Sequence, residues 1–336
     1  MKKTGKYLLR GAAFLLALLL CIQLAGWYIR PCSNRNFYAY DSGGIYGEDN
    51  NTIDVLVIGS SNASRDITPM EWYREYGIAG YTFGIDAGSV TEVFYALQKI
   101  YRTQTPKVVV LCADTIYNIP DGMTPMESAL DDTIGVFFPL WRYHNNWREL
   151  RIKNLARHHD FTWRDYDKGF SPRTGCKGMD ATWFMSDQGP AQAVPALRDA
   201  YVQAIRRMCK AHGSEMKMVT LPAKDWTMAK HLGMTAYAQK NGIPYVDYNL
   251  PDSGITIDWT QDTYDTGFHL NYVGAMKVTQ HLGTLLAQSD ALPDRRGAAG
   301  WAKWKKEYER YCQEQKEQLT AMQATVPQAA KYLAAA

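Results

Sequence analysis

Three residues could do chemistry together: Ser61, His269 and Asp265. Ser61 closes the run Ile53-Asp-Val-Leu-Val-Ile-Gly-Ser-Ser61, an apolar strand ending in a tight turn. A serine hydroxyl is a weak nucleophile at neutral pH. It needs a base within hydrogen-bond reach and a third group to orient that base. Of seven histidines, only His269 sits in such a context, in Asp265-Thr-Gly-Phe-His269-Leu-Asn-Tyr-Val-Gly274. Asp265 lies four residues earlier and can hold the imidazole tautomer; Asp262 and Asp258 are less well placed. The combination points to acyl transfer from an ester to water or to another hydroxyl. Each piece alone is weak. Gly-Ser-Ser is a common turn, Ser60 fits as a helix cap, and a lone histidine before a helix is more often structural.

Other reactive residues form no comparable pattern. The six cysteines are widely spaced, with no Cys-x-x-Cys and no Cys/His cluster at zinc spacing. One disulfide outside a membrane is allowed, but no pair is singled out. His158-His159-Asp160 resembles a metal site only superficially, because adjacent residues rarely face one centre; an exposed loop or helix end is the better reading. No metal or organic cofactor is implied.

The elements around Ser61 and His269 alternate between strand and helix. Apolar runs at 54–58, 81–85, 107–112, 216–221 and 243–248 read as strands. Helical spacing occupies 69–76, 90–102, 196–212, 226–241 and 272–287. This alternation predicts an α/β fold, a flavodoxin-like three-layer sandwich around a parallel sheet. In such sheets the reactive crevice lies at the carboxyl ends of the strands. Ser61, the Gly84–Gly88 turn and Asp114 each follow a strand end and are expected to converge there. Residues 115–190 break the rhythm with Trp141, Trp147, Trp163 and Trp183, and read as an insertion, the kind of segment that carries specificity.

The order of these blocks resembles the SGNH/GDSL hydrolase superfamily over roughly residues 52–287. The matching residues are Gly59-Ser60-Ser61, then Phe83-Gly84-Ile85-Asp86-Ala87-Gly88-Ser89, then Asp265 through His269-Leu270-Asn271. The resemblance implies Ser61 as nucleophile, His269 as base, Asp265 as its orienting acid, and a backbone N–H of Ala87 or Gly88 as oxyanion donor. Three departures stand out. Ser60 replaces the usual aspartate of Gly-Asp-Ser, and Asp265 and His269 are one residue further apart than is common. The third block, usually Gly-x-Asn-Asp, reads Ala113-Asp114-Thr115-Ile116-Tyr117-Asn118, with Thr115 or Ile116 where the oxyanion asparagine is expected and Asn118 as a poor substitute.

The N-terminus adds a location. Lys2, Lys3, Lys6 and Arg10 precede an uncharged stretch from Gly11 to Ile29 in which Gln23 is the one strongly polar residue. At about 1.5 Å per residue it approaches the bilayer's hydrocarbon thickness. Trp27 and Tyr28 end it, and the positive-inside rule keeps the N-terminus cytoplasmic. A single-pass anchor is favoured over a cleaved signal peptide, because the apolar stretch is long and no Ala-x-Ala follows.

The domain plan is therefore an anchor at 1–30, a linker at 31–51, an α/β domain at 52–290 with its insertion, and a helical tail at 291–336. In the tail Trp301, Trp304, Tyr308, Tyr311, Leu319 and Met322 recur at helical spacing; packing on its own domain is favoured over partner docking. A net charge of +3 gives no case for nucleic acid. With the anchor, the resemblance narrows to envelope proteins that work beside membrane-bound O-acyltransferases, including the teichoic acid D-alanylation accessory and alginate O-acetylation types. It implies an acylated envelope polysaccharide or teichoic-acid-like polymer as substrate and a membrane-bound O-acyltransferase as partner. A non-catalytic scaffold for that acyltransferase is the competing expectation. A lipid esterase is weaker, since no apolar lid is evident.

Overall fold

The computed structural model describes residues 2–34, 41–149, 160–187 and 189–333. His158 and His159 of the metal-like triplet, and part of the expected linker, lie outside the described residues.

Five strands form one parallel sheet: β1 (Val55–Ser60), β2 (Gly80–Ile85), β3 (Val108–Cys112), β4 (Glu215–Thr220) and β5 (Tyr245–Asp247), in the order β2-β1-β3-β4-β5. That is the flavodoxin-like order. The central strands read as unbroken apolar runs because both faces are covered. Leu56, Ile58, Val109 and Leu111 point into one core, shared with α4 (Val90–Ile100) and α8 (Ala196–Ala211). Val55, Val57, Val108 and Val110 point into the other, shared with Trp72 of α3 (Met70–Tyr76) and with α10 (Tyr272–Leu286). The chain leaves β1 for β2 on one side and returns to β3 on the other. This reversal opens a crevice above the ends of β1 and β3. Beyond β4, α9 (Met228–Asn241) starts at its Thr227 cap and stops at Gly242, whose φ of +60° suits glycine.

The insertion is more structured than its composition suggests. A short α5 (Asp114–Tyr117) is followed by α6 (Pro125–Phe137) and α7 (Pro139–Tyr143). The start of α6 is a capping box between Thr124 and Glu127 with Pro125 in the first turn, a signal present in the sequence. Further on, the Lys168 carbonyl accepts from Thr82 N at 3.0 Å, so the insertion covers the exposed edge at β2. Gly169 has φ +84°, and a Cβ there would lie 1.9 Å from the Thr82 carbonyl oxygen. Only glycine permits this approach.

The two termini differ. Within α1 (Lys2–Ile29), Gly5–Ile29 is long and apolar enough to cross a membrane. The tail forms α11 (Ala302–Met322) and α12 (Ala329–Leu333), and Trp304 and Tyr311 are buried in the main core. It packs on its own domain. The stretch expected as a linker is docked as well: residues Asp41–Gly47 form a 3-10 turn with Ile45 buried. All six cysteines are unpaired, and Cys112 and Cys209 are buried in opposite cores.

Candidate active site

Ser61 is the first residue of α2 (Ser61–Arg65), immediately after β1. Ser60 caps this helix through Oγ, which accepts from Asn62 N. Its replacement of the usual aspartate is therefore structurally sufficient. Two glycines make room for the turn. A Cβ on Gly59 would come within 2.3 Å of the Cys112 Cβ, and one on Gly84 within 2.4 Å of Ser64 Oγ. Neither site has space for a side chain.

His269 approaches from the loop before α10. The loop folds back on itself, with Tyr264 N donating to the His269 carbonyl at 3.0 Å. Thr266 and Gly267 turn it, with φ of +63° and +95°. This left-handed pair absorbs the extra residue between Asp265 and His269. Asp265 Oδ1 accepts from His269 N at 2.8 Å, and Oδ2 lies 2.7 Å from His269 Nδ1. On the other side of the ring, His269 Nε2 lies 2.8 Å from Ser61 Oγ. The serine, imidazole and carboxylate are thus joined in sequence. Asp262 is occupied elsewhere, accepting from Lys277 Nζ at 2.6 Å and Asp258 N at 2.7 Å. Asp258 accepts from Thr260. Of the three acids considered, Asp265 alone is bonded to the imidazole.

Three residues of α2 and its end escaped the sequence reading. Arg65 lies one helical turn after Ser61, so both face His269. Its Nη1 is 2.8 Å from His269 Nε2, and its Nη2 pairs with Asp86 Oδ1 at 3.2 Å. A guanidinium can only donate, so Nε2 carries a lone pair and the ring proton sits on Nδ1, facing Asp265. Burial lowers the His269 pKa, the Asp265 hydrogen bond raises it, and Arg65 lowers it again; the net shift is downward. The imidazole is neutral at pH 7, as a general base must be. Asn62 Nδ2 donates to Asp66 Oδ2 at 3.0 Å and to the Phe268 carbonyl at 3.1 Å. Asp66 Oδ1 accepts from Leu270 N at 2.9 Å. These bonds lock the nucleophile turn to the histidine loop. Asp66 is fully buried, and desolvation pushes its pKa up to about 8.

The insertion supports both elements. Ser171 N donates to the Ser64 carbonyl at 2.6 Å, and Thr266 N donates to the Lys177 carbonyl at 2.9 Å. The insertion both buttresses the site and, through Asn118, Ile119 and Pro120, lines the cleft.

The second block separates its two candidates. Gly88 N donates to the Ile85 carbonyl at 2.8 Å, so this amide closes the turn. Ala87, with φ +50°, lines the cleft beside Ser61. A left-handed alanine is strained. The third block departs from expectation. Thr115 is buried with Oγ1 donating to the Cys112 carbonyl at 2.7 Å, and Ile116 lies in the core. Neither takes the place of an oxyanion asparagine, because the β3 strand ends at Cys112 and the first residue free to turn upward is Asp114. Asp114 lines the cleft, and its Oδ1 has no hydrogen-bond partner among the described residues. Desolvation raises its pKa to about 6. Asn118 lines the cleft too, but Nδ2 donates to the Gly88 carbonyl at 3.1 Å and braces the second turn.

The cleft measures about 380 Å³. Its far wall is formed by Trp226, Lys230 and Asp225 after β4. At the rim Phe268 is half exposed beneath Lys224 Nζ, 3.7 Å from the ring centroid. The space is large enough for an acyl group next to Ser61.

No protein-family model matches the chain, and no curated protein matches it. Among solved structures, a "putative acylhydrolase" from Bacteroides fragilis is 16% identical, the match covering 75% of this chain and 97% of that one at a TM-score of 0.37. A GDSL-like lipase from Bacteroides thetaiotaomicron is 13% identical, covering 75% and 96% at a TM-score of 0.37. Likeness at this level says nothing of activity.

Proposed function

We propose that this protein is a serine ester hydrolase or O-acyltransferase that acts on acyl esters of a cell-envelope polymer. One observation carries the reading: Ser61 Oγ, His269 and Asp265 are joined by hydrogen bonds of 2.8 and 2.7 Å at the mouth of a cleft. In this reading Ser61 Oγ attacks the acyl carbonyl while its proton passes to His269 Nε2. Asp265 holds Nδ1–H and stabilises the imidazolium. The proton then goes to the departing alkoxide, leaving an acyl group on Ser61. Water or a polymer hydroxyl, deprotonated by His269, attacks the acyl carbonyl; the bond to Ser61 Oγ breaks and His269 returns the proton to that oxygen. In this reading backbone N–H groups of Ser61 and Ala87 hold the developing oxyanion, and Asp114, which lines the same cleft, adds a donor when it is protonated.

The membrane-length helix α1 supports an anchored, extracytoplasmic enzyme with the polymer as its neighbour. A membrane-bound O-acyltransferase is the partner that such an arrangement would serve.

Fluorophosphonate labelling of the full chain in detergent tests the reading. The expected adduct maps to Ser61 and disappears in Ser61→Ala and His269→Ala. Correctly folded protein that takes up no label would return the weight to a non-catalytic scaffold.

A further inference from the structure

We infer that the outward apolar face of α6 and α7 lies in the interfacial layer of the lipid bilayer that α1 crosses. This rests on α1 as a membrane span and is independent of the chemistry at Ser61.

The face is built at helical spacing. On α6 the residues Ser128, Ala129 and Gly135 turn inward and are buried. On the opposite side Met126, Leu130 and Phe137 are 65%, 57% and 58% exposed. Trp141 of α7 and Trp147 of the following 3-10 turn continue the row, 58% and 61% exposed. Single exposed apolar residues are ordinary, but a row of five large ones marks a surface that is covered.

Contacts with α1 identify the cover. Gln23 Nε2 donates to the Phe137 carbonyl at 3.0 Å. A Cβ on Gly26 would lie 3.2 Å from both Leu140 N and Pro139 Cδ, so the junction of α6 and α7 packs directly on the helix. Asn146 Nδ2 donates to the Ile29 carbonyl at 3.2 Å. Gln23 is the one strongly polar side chain between Gly11 and Ile29, and a polar group at membrane depth needs a partner. Its partner is the end of α6. Wherever Gln23 sits, that junction sits with it.

The depth follows from helix geometry. From Gln23 to Ile29 the axis rises about 9 Å. Interfacial helices bury their apolar faces about 5–10 Å into the headgroup and acyl boundary. Trp27, Trp141 and Trp147 then occupy the zone in which amphipathic rings concentrate. The polar groups nearby are already matched: Trp141 Nε1 donates to Asp131 Oδ1 at 2.9 Å, Arg142 pairs with Glu92, and Glu127 closes the cap of α6. One consequence reaches the cleft. Asn118, Ile119 and Pro120 wall it, and residues 121–124 alone join that wall to α6. Docking α6 on lipid therefore sets the height of the Ser61 cleft above the membrane.

The test uses the full chain in phosphatidylcholine nanodiscs, with lipids brominated near the headgroup or deep in the acyl chain. Shallow bromine is expected to quench a component of tryptophan fluorescence that disappears in a Trp141→Phe, Trp147→Phe double variant. Deep bromine should quench it less. Trp183→Phe, which removes an exposed tryptophan outside this row, should leave the quenching intact. A double variant quenched as strongly as the parent, with Trp27 still responding, would overturn the inference and leave a protein neighbour as the occupant. Loss of quenching at every tryptophan would overturn it by removing the span itself.

Discussion

Asp114 is the residue whose chemistry departs most from the resemblance. An asparagine amide donates a hydrogen bond at every pH, whereas a carboxyl donates only while protonated. Asp114 lines the cleft, its Oδ1 is buried without a hydrogen-bond partner among the described residues, and its pKa is raised to about 6 by burial and by Asp225. Ser60, the Cys112 thiol and, across the cleft, Lys230 and His269 are the other polar groups around it. Below pH 6 the acid form can donate to an oxyanion; above it a carboxylate repels one. Burial and Arg65 lower the His269 pKa, which extends its use as a base toward acid pH. Acylation of Ser61 by a fluorophosphonate or a nitrophenyl ester should therefore slow as pH rises past 6. Asp114→Asn, a permanent donor of the same shape, should abolish that decline and react faster than the parent at pH 8. Asp114→Ala should lose about 10²–10³ in rate at pH 5.5, the usual cost of one oxyanion donor. Parallel pH profiles for the parent and Asp114→Asn would refute the role.

At the scale of elements, the site depends on how α2 is held against the histidine loop, and Asp66 is the tie. Its folded pKa of about 8 lies above the ordinary carboxylate value of 3.8. A raised carboxyl contributes its full stability below pH 4, and that contribution is lost as pH climbs through 8. Asp66→Asn should flatten the dependence and raise the melting temperature at pH 8 relative to the parent. At pH 4 the variant should melt below the parent, because its amide nitrogen must face one of the two N–H donors that Asp66 accepts from. An unchanged slope between pH 5 and 8 would mean that Asp66 stays ionised. Such ties explain what could be read from the chain and what could not. The strands were legible because runs such as Val108-Val-Val-Leu-Cys112 suit a sheet buried on both faces. Ser61, Asp265 and His269 were legible because each has a local context. Arg65, Asn62 and Asp66 act through partners about 200 residues away, and no local pattern announces such bonds. The third strand was read to end at Cys112, as it does, so the position of Asp114 at that strand end was legible too, whereas its burial was not. Helix α6 was overlooked although its Thr124–Glu127 capping box and helical apolar spacing were both in the sequence; only the outward direction of its apolar face could not be read there.

Across the whole molecule, one buried lysine joins three distant stretches of chain. Lys168 of the insertion is fully buried, with Nζ 2.6 Å from Glu48 Oε1 and 2.6 Å from Glu307 Oε2. Its ammonium also lies 4.4 Å from the Trp304 ring centroid. Glu48 lies within the expected linker and Glu307 belongs to the tail, so both are fastened to the sheet edge that Lys168 and Gly169 cover. Desolvation raises the Glu307 pKa to about 7, the Lys168 charge draws it down, and Glu48 pushes it up. Lys168→Met would leave two facing carboxylates with only half-exposed Lys303 for compensation, at 3.3 and 3.7 Å. Removing one partner of a buried ion pair costs about 3–5 kcal/mol. The sign of the pH effect follows from the raised Glu307 value. Stability from that group is complete below pH 4.5 and falls as pH rises through 7, and losing Lys168 moves that fall to higher proton affinity still. Lys168→Met should therefore destabilise more at pH 8 than at pH 5, as read by chemical denaturation. Adding Glu307→Gln should restore part of the loss at pH 8 and little at pH 5. If the tail and the linker were separate from the domain, Lys168→Met would instead leave the main transition unmoved and loosen only residues 41–48 and 302–322, a difference that hydrogen exchange resolves directly.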